Sequence, residues 1–534
     1  MKTGAILAAA DSSLLTPLMA FLLVVIVSFL LCLVAGVGND TVADFFTANR
    51  SFTVAKSTLA LCGDSIPTTA LLGSVGMVAL GGYDGMLVAV SAVAALGVLL
   101  FLSEPLRNTG RFTLGAVLDL RHAGAATRAA GAVITLAVCL PLTVVQLTVA
   151  GDVTAYVLDV NLPGAGQVCT VLIGLLIVSF AAFGGMRGSS MIEIIKVVIV
   201  FGTVLAVSCL ALSRSHWDLG AMLDAAARSG GGADSFYAPG LLYGDTTTGR
   251  LDFVSLCLTV LLGSAVFPHI LMRVSATRNG PAARRATSSA VVVMTTFHGF
   301  MVLTGLSAAA MVGAGAITSD DPHGDTALFT LVDTLAGVSG GLLFTVVACA
   351  VFVTALSTVA GLTLAAAASL AHDLYAGLSR RPVSERREMH VARTAVMVFG
   401  VCGVCLAVAL HDWSMVSLAS FAAALTASAV LPALVYSLFW KNFTRVGLLW
   451  TLYGSLVCCA VLEAFGPAVS GSPLALFPGR DFHWFPLQNI ALASIPVGFL
   501  LGWAGSQLSR GSSDRGYAEL RTAMLLGREP VGSA

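Results

Sequence analysis

Long apolar blocks separated by short polar segments run through the whole sequence. The first, Leu14–Val37, has 24 residues without a charge, which exceeds the roughly 20 residues that a helix needs to cross a bilayer. A helix that is apolar on every side over such a length belongs in lipid, and the alternation of a membrane β-barrel is missing from the sequence. The blocks predict thirteen membrane helices, at about 14–37, 54–79, 83–103, 130–158, 164–183, 190–213, 252–272, 287–315, 339–371, 392–410, 414–438, 446–465 and 488–508.

Composition supports this interpretation. Hydrophobic residues make up 57% of the 534-residue chain and charged residues only 10%, whereas soluble domains carry about 25% charged residues. The 11 cysteines fall inside apolar blocks, which argues against a disulfide-bonded secreted fold. No basic stripe with interleaved aromatic residues suggests nucleic acid as a partner. The first apolar block is too long for the core of a signal peptide, so we expect it to stay as a membrane helix.

The positive charges are distributed unevenly between the predicted loops. Of the 28 Lys and Arg, 21 fall in one alternate set of loops and in the tail, and five fall in the opposite set. Loops rich in Lys and Arg stay in the cytoplasm. The first set is therefore predicted to be cytoplasmic, with the N-terminus outside and the C-terminal tail inside, as an odd number of helices requires. This orientation describes a multi-pass protein of the inner (plasma) membrane, and the excess of Arg over Lys suggests a bacterial source.

Two predicted helices are interrupted. The second span contains Gly63–Pro67 and the seventh contains Gly263–His269. Gly loosens the backbone and Pro removes a hydrogen-bond donor, so each break leaves costly backbone groups unpaired in the membrane. Such a pair at corresponding places in two halves is typical of the central binding site of a transporter. Two simple proline kinks are the alternative.

The break in the second span offers two kinds of ligand. Its second half starts near Pro67, and the free N–H groups there, with the hydroxyls of Thr68 and Thr69, present positive partial charge to an anion. Its first half ends near Gly63, where carbonyl oxygens without helical partners suit a hard cation. An anion site beside a cation site is the arrangement that co-transport needs.

Few ionisable side chains fall within the predicted membrane helices, and each is a functional candidate because its burial is costly. The six are Asp64, Asp152, Glu193, Lys196, His269 and His298. Glu193 and Lys196 are spaced i and i+3, so an ion pair between them is the alternative to a functional role. For Asp152 the alternative is exposure to water, and for His298 it is a place in the core.

Several motifs between about residues 40 and 445 resemble those of the sodium:solute symporter family. The segment Asp44–Ser51, DFFTANRS, is similar to the one that precedes the first repeat of that family. The other matching segments are Gly63-Asp64, Leu71–Gly73, Gly81–Gly85, Glu104–Thr113, Phe183–Met186, Phe267–Arg273, Ser357–Leu364 and His372–Tyr375. Together they are most similar to the acetate and monocarboxylate permease branch.

This resemblance implies an all-α LeuT-type fold with about 13 membrane helices: two inverted repeats of five helices, and extra helices outside the repeats. The implied divisions are an N-terminal helix and loop at 1–53, a first repeat at 54–213, an extracellular loop at 214–251, a second repeat at 252–438, two further helices at 439–508 and a cytoplasmic tail at 509–534.

The resemblance also implies a sodium site, with the carbonyls of Gly63, Ile66 and Thr354 and the hydroxyls of Ser357 and Thr358 as ligands. The last three residues are spaced i, i+3 and i+4 and share one helix face; hydroxyl bonding back to the helix is the alternative. Glu193 matches a position thought to help cation release, and Asp64 is expected to act in coupling.

The function implied is symport of a short monocarboxylate (acetate, propionate or pyruvate) with sodium or protons, by alternating access and without a cofactor. The expected pocket residues are Ser65, Thr68, Thr69, Gln146, Phe267 and His269. Acetate permeases carry a tyrosine where Ser65 stands, so the pocket has room for a larger solute. Symport of an amino acid, urea or a vitamin is the alternative, as is a transporter-like solute sensor. The sequence has no HExxH motif of a metalloprotease and no P-loop of an ATPase, and we expect no enzyme activity.

Overall fold

The computed structural model describes residues 41–158, 160, 162–230, 232–321, 323–336, 341–379, 381–411, 413–471, 475–477, 479–509 and 514–527, with isolated positions between 19 and 36. Apart from those positions, the first predicted span, 14–37, lies outside the described residues. The described chain is almost entirely helical, with two isolated β-bridges.

The α-helices are numbered here in chain order. They are α1 Val42–Thr47, α2 Val54–Asp64, α3 Thr68–Gly81, α4 Tyr83–Asn108, α5 Leu114–Asp119, α6 Ala125–Val157, α7 Ala165–Arg214, α8 Leu219–Ser229, α9 Ala233–Phe236, α10 Thr247–Leu258, α11 Pro268–Ser275, α12 Gly280–Met311, α13 Ala314–Asp320, α14 Ala327–Ala336, α15 Leu342–Ala368, α16 Glu385–Ala409, α17 Met415–Leu425, α18 Leu431–Phe439, α19 Arg445–Leu449, α20 Ser455–Ala464, α21 Ala491–Leu508 and α22 Asp514–Leu526.

Short π-helical and 3₁₀ turns connect or extend some of these helices. The π-helical segments are Thr259–Gly263, Ser369–Ala376, Thr426–Val430 and Trp450–Gly454, and the 3₁₀ segments are Ala48–Arg50 and Ser264–Val266. Two segments, Thr259–Gly263 and Ser264–Val266, lie at the predicted break of the seventh span. Mid-helix turns of this kind mark local departures from the α-helical ladder.

Ten helical segments of the described chain are long and apolar enough to cross a bilayer. They are Tyr83–Asn108, Ala125–Val157, Ala165–Arg214, Thr247–Ser275, Gly280–Met311, Leu342–Ala376, Glu385–Ala409, Met415–Phe439, Arg445–Ala464 and Ala491–Leu508. This is a multi-pass membrane protein. The count of thirteen stays a prediction, because the first span lies outside the described residues, the second is broken into two short helices, and the fifth and sixth run together in α7.

Helix α7 is 50 residues long, which would span about 75 Å if it were straight, against a hydrocarbon core of about 30 Å. Gly185 interrupts it with φ 54° and ψ −157°. Near its middle, Arg187 pairs with Asp44 at 2.8 Å, whereas its last residue, Arg214, donates to the carbonyl of Leu335 at 3.1 Å. The loops that hold Asp44 and Leu335 are predicted on opposite sides of the membrane, so these contacts support a chain that turns at Gly185.

Several helices begin earlier than the apolar pattern predicts. Helix α12 starts at Gly280 instead of 287, and α16 starts at Glu385 instead of 392. The side chain of Asn279 accepts a hydrogen bond from the N–H of Ala282 and caps α12. A cap of this kind satisfies a backbone donor in the first turn, so the helix extends into polar sequence. Hydropathy detects only the part of the helix that lies in lipid.

The core of the molecule centres on α15. In the segment Leu342–Ala376, which contains α15, 83% of the most apolar 18-residue stretch is buried within the protein. Helix α15 packs against α6, α7 and α16. Because α15 is buried on nearly all sides, its polar residues Thr354, Ser357 and Thr358 face other helices instead of lipid. The two interrupted helices, α2–α3 and α10–α11, belong to opposite halves of the sequence, and both approach α15.

Candidate functional site

The second predicted span breaks at the expected position. Helix α2 ends at Asp64, and α3 begins at Thr68 after an extended Pro67 with φ −70° and ψ 162°. The N–H of Ile66 donates to the carbonyl of Gly63 at 3.0 Å. The N–H of Thr68 donates to Oε1 of Gln146 at 3.0 Å, so the side chain of Gln146, on α6, caps α3 and satisfies one of its unpaired N–H groups.

The predicted cation ligands lie in two groups. Thr354, Ser357 and Thr358 are almost fully buried on α15. The hydroxyls of Ser357 and Thr358 donate to the carbonyl of Thr354, at 3.1 and 2.9 Å, as expected for back-bonding within a helix. The end of α2 adjoins this face, because a Cβ atom at Gly361 would lie 3.6 Å from Oδ1 of Asp64. The structure therefore brings the α2 break and α15 together.

Lys196 lies at the same place. Its Nζ is 2.8 Å from Oε2 of Glu193, and both side chains have 0% exposure. Nζ also donates to Oγ1 of Thr358 at 3.4 Å. A Cβ atom at Gly63 would overlap Oε2 of Glu193, so α2 packs directly on this carboxylate. The ion pair expected from the i, i+3 spacing is present, and it contacts two of the predicted cation ligands.

Asp64 forms a second buried ion pair, with Arg273 of α11. Nε of Arg273 donates to Oδ2 at 2.6 Å and an Nη atom donates to Oδ1 at 3.1 Å. The guanidinium also donates to the hydroxyls of Ser189 and Ser190 on α7. Two parallel bonds to one carboxylate are the strongest geometry for such a pair. The pair joins both interrupted helices to α7.

The hydropathy pattern does not predict Arg273 as a site residue, because it follows directly after the seventh predicted span, 252–272, in a cytoplasmic loop. Instead its side chain is 2% exposed. The signal that identifies it is its spacing: His269 and Arg273 are i and i+4 on α11, so they share a helix face. A helix that restarts at Pro268 carries that face back into the core, next to Asp64.

The predicted pocket residues fall into small groups around the breaks. Thr68 and Gln146 are joined by the cap of α3, and the rings of Phe267 and His269 stack at a centroid distance of 5.5 Å. Oγ1 of Thr68 and Nδ1 of His269 are buried and form no hydrogen bond with the residues that the structure describes. Buried polar groups of this kind usually have a partner, which the described residues do not supply for these two atoms.

Ser65 and Thr69, the other two predicted pocket residues, have less support from the structure. The hydroxyl of Ser65 donates to the carbonyl of Leu61 at 2.8 Å, which turns it toward its own helix. Thr69 is half-buried in the first turn of α3.

Two of the ionisable candidates lie elsewhere in the structure. Asp152 lies 3.7 Å from His411 and is half-exposed, and a ring nitrogen of His298 forms a hydrogen bond with the carbonyl of Met294 within its helix. Neither of these last two residues belongs to the α2 and α11 breaks.

A surface pocket of about 240 Å³ opens beside the start of α2. It is lined by Ser51, Phe52, Lys56, Arg187, Ser190, Met191 and Ile194. Ser190 also accepts a hydrogen bond from Arg273, so this pocket reaches the edge of the buried cluster. Glu193 follows Ser190 by three residues on α7, and Lys196 follows by six.

The fold is that of the LeuT-type transporters. A sodium-coupled sialic acid symporter, solved with substrate in an outward-open state, aligns with 93% of this chain and 98% of its own at a TM-score of 0.72 and 14% identity. MhsT, solved in complex with L-phenylalanine, aligns with 84% of this chain and 98% of its own at a TM-score of 0.54 and 14% identity. At such identities the likeness concerns the fold.

Sequence comparison defines the family. Residues 45–454 match the sodium:solute symporter family, and the chain belongs to it. A protein named "Monocarboxylic acid transporter" from Corynebacterium glutamicum is 33% identical over 520 residues, which cover 95% of this chain and 94% of that protein. A protein named "Uncharacterized symporter YwcA" from Bacillus subtilis is 32% identical over 498 residues, which cover 93% and 94%. This protein is a transporter and not an enzyme.

Proposed function

We propose that this protein is a secondary active symporter that imports a short monocarboxylate, such as acetate, propionate or pyruvate, together with sodium or protons. The observation that carries the proposal is the 33% identity, over 95% of the chain, to a protein named as a monocarboxylic acid transporter. The family to which the chain belongs is named for sodium coupling. The site geometry fits a small anion and supports the same substrate class.

In this proposal the carboxylate binds at the start of α3. The N-terminus of a helix carries positive partial charge, and interrupted helices of transporters direct such ends at anionic substrates. Thr68 has a buried hydroxyl available there, Gln146 lies beside it, and His269 offers a second polar atom. Ser65, Thr69 and Phe267 complete the proposed pocket. The apolar methyl or ethyl group of the solute would pack against the Phe267 ring.

The coupling cation binds beside the carboxylate, within the set Gly63, Ile66, Thr354, Ser357 and Thr358. Asp64 and Glu193 serve in coupling or cation release. The two repeats, 54–213 and 252–438, then rock against each other and expose the site to one side of the membrane at a time. In the native setting this is a bacterial inner membrane, with the N-terminus outside and the C-terminal tail in the cytoplasm, as the distribution of Lys and Arg indicates.

Uptake of labelled pyruvate into proteoliposomes tests this function. Uptake is measured with an inward sodium gradient, with an inward proton gradient and with no gradient. Protein-free liposomes measure how much acid crosses the lipid unaided, and this amount is subtracted. Accumulation that depends on a gradient and is suppressed by excess propionate is expected. A lack of uptake under every gradient, from folded protein, would discard the substrate class and favour another solute or a sensor.

A matched pair of variants tests the pocket. Thr68→Val removes the buried hydroxyl at nearly constant shape, and we expect the KM for pyruvate to rise at least tenfold, since one lost hydrogen bond to a charged group costs roughly 1.5–3 kcal/mol. Thr287→Val is the control, because the hydroxyl of Thr287 is equally buried but donates to the carbonyl of Ala283 within α12. Equal KM values for both variants would remove Thr68 from the pocket.

A further inference from the structure

The surface pocket beside the start of α2 has an amphipathic lining. It combines two cationic side chains, Lys56 and Arg187, with the apolar side chains of Phe52, Met191 and Ile194. Its volume of about 240 Å³ is below the roughly 300–1,000 Å³ of pockets that enclose a drug-sized molecule. A ligand that matches this lining has a small anionic part, which the pocket holds, and an apolar part.

The pocket lies at the predicted cytoplasmic boundary of the membrane. Lys56 is the third residue of α2, and Arg187 follows the turn at Gly185, three residues before the sixth predicted span, 190–213. The loops at this boundary are predicted to be cytoplasmic from their content of Lys and Arg. The cytoplasmic leaflet carries anionic lipids, and basic pockets between membrane helices at this depth bind their headgroups.

Next to the pocket, α7 has an exposed apolar face. Met191, Ile194 and Val198 are spaced i, i+3 and i+7, so they share this face. Met191 is 42% exposed and Val198 is 65% exposed. Val198 lies about 10 Å deeper in the membrane than Met191, at a rise of about 1.5 Å per residue. A molecule whose headgroup lies in the pocket therefore has an apolar surface along which its chains can pack.

The charge around the pocket favours an anion. Lys56 is exposed and forms no ion pair with any residue that the structure describes. An Nη atom of Arg187 donates to Oδ1 of Asp44 at 2.8 Å, and a guanidinium has five N–H donors in all, so Arg187 has donors left for a second acceptor. Two positive charges and one negative charge leave one positive charge for a ligand.

A free solute anion fits this pocket less well than a lipid does. Ser190, in the pocket lining, accepts a hydrogen bond from Arg273, and the Arg273–Asp64 pair beyond it is 2% and 1% exposed. This buried pair separates the pocket from the α2 break, where the solute is proposed to bind. The pocket adjoins the exposed side chain of Met191 instead, on the lipid-facing side of α7.

We propose that this pocket binds the headgroup of an anionic phospholipid of the cytoplasmic leaflet. Lys56 and Arg187 contact the phosphate, and the acyl chains lie along Met191 and Val198. The bound lipid bridges the start of α2 and the part of α7 that follows Gly185, so it stabilises the packing of these two helices. The site does not depend on which solute the protein carries.

Lipid binding to the purified full-length protein tests this site. Thermal unfolding in detergent is followed while phosphatidylglycerol is added, and phosphatidylcholine with the same acyl chains is the comparison. A ligand that binds the folded state raises the midpoint of unfolding. We expect a saturable rise with phosphatidylglycerol and none with phosphatidylcholine. Equal rises with the two lipids, or no rise with either, would overturn the proposal.

Substitutions of lysine locate the binding. In Lys56→Gln we expect the apparent Kd for phosphatidylglycerol to increase roughly fivefold, which is the contribution of one cationic side chain near an anionic headgroup. Lys56→Arg keeps the charge and should bind as the wild type does. Lys441→Gln is the matched control, because Lys441 is also exposed in a loop predicted to be cytoplasmic and does not line the pocket. Wild-type affinity in Lys56→Gln, or an equal loss in Lys441→Gln, would contradict the site.

Anions without acyl chains distinguish a lipid from a free anion. Inorganic phosphate and pyruvate are added separately, at equal ionic strength, to the wild type and to Lys56→Gln. We expect neither anion to cause a rise in the midpoint that depends on Lys56, because neither has an apolar part to pack on α7. A rise in the wild type that is lost in Lys56→Gln would assign the pocket to a free anion and overturn the lipid assignment.

Discussion

At the scale of single residues, two ion pairs are buried at the α2 break, Asp64 with Arg273 and Glu193 with Lys196. Arg273 and Asp64 are 2% and 1% exposed and share two hydrogen bonds. Attraction in such a setting roughly offsets the cost of removing both charges from water, whereas one charge left alone is strongly unfavourable. The pair therefore fixes the end of α2 against α11, and each partner depends on the other.

Neutralising Asp64 tests whether Arg273 depends on its negative charge. Asp64→Asn leaves the Arg273 guanidinium buried without its counter-charge, and we expect a loss of about 3–5 kcal/mol in the free energy of unfolding together with a loss of solute accumulation. The measurements are thermal unfolding in detergent and uptake in proteoliposomes. Asp245→Asn is the control, since the Asp245–Arg250 pair is 76% and 67% exposed and such pairs contribute at most about 1 kcal/mol.

The double variant Asp64→Asn with Arg273→Gln should recover most of the lost stability, because no lone charge remains, and should still fail to accumulate solute. Undiminished accumulation by Asp64→Asn would instead give Asp64 a purely structural role. A loss of stability equal to that of Asp245→Asn would contradict the account of the pair itself.

Sequence reasoning identified some of these residues and missed another for a physical reason. Asp64 and Glu193 are predictable, because a charge inside an apolar block is costly and needs an explanation. The partner of Glu193 is three residues away and is also predictable. Arg273 is 209 positions from Asp64, and only the fold brings them together. That Lys196 reaches Thr358, 162 positions away, is likewise a property of helix packing.

At the scale of helices, the two interruptions are the most predictable features of the fold. Gly and Pro act locally, so their effect on the backbone follows from the sequence near Gly63–Pro67 and Gly263–His269. The contact that Gly63 makes is not predictable: a Cβ atom there would overlap Oε2 of Glu193. Gly63 therefore has two roles. It loosens the backbone at the break, and its lack of a side chain allows α2 to approach α7 closely.

Adding one methyl group tests that approach. In Gly63→Ala the new Cβ must displace Glu193 from Lys196, and we expect uptake to fall at least tenfold. Gly202→Ala, on α7, is the matched control, since a Cβ at Gly202 meets nothing within 4 Å. Alanine favours a helix over glycine by up to about 1 kcal/mol, so this control should keep wild-type uptake and stability. Similar uptake by the two variants would contradict the close packing of α2 on Glu193.

At the scale of the whole molecule, contacts between loops follow the predicted alternation of the two membrane sides. Among loops predicted to be cytoplasmic, Asp44 pairs with Arg187, and Arg107 donates to the carbonyl of Arg278 at 2.8 Å. In the tail, the ring of Tyr517 lies 4.5 Å from the Arg121 guanidinium. The tail helix α22 therefore packs against the same end of the molecule.

The extracellular loop predicted at 214–251 contacts the predicted outer ends of two membrane helices in the same way. The carboxylate of Asp84 accepts hydrogen bonds from the N–H of Gly240, at 3.1 and 3.2 Å, and Ser229 accepts one from the N–H of Ala314 at 3.0 Å. The predicted sides follow from the distribution of Lys and Arg along the sequence and are independent of these contacts. Their agreement supports the alternation, including the turn of the chain at Gly185 within α7.

The positive-inside rule then predicts which end of the molecule faces the cytoplasm, and cysteine labelling tests it. In a cysteine-free background, Ser235→Cys lies in the loop predicted outside and Ser384→Cys in a loop predicted inside; both serines are exposed in the structure. A membrane-impermeant maleimide should label Ser235→Cys on intact cells and should label Ser384→Cys only after the cells are opened. Because both sites are accessible in the folded chain, a difference in labelling reports the membrane barrier. The reverse pattern would invert the orientation, and labelling of both on intact cells would contradict the alternation of the loops.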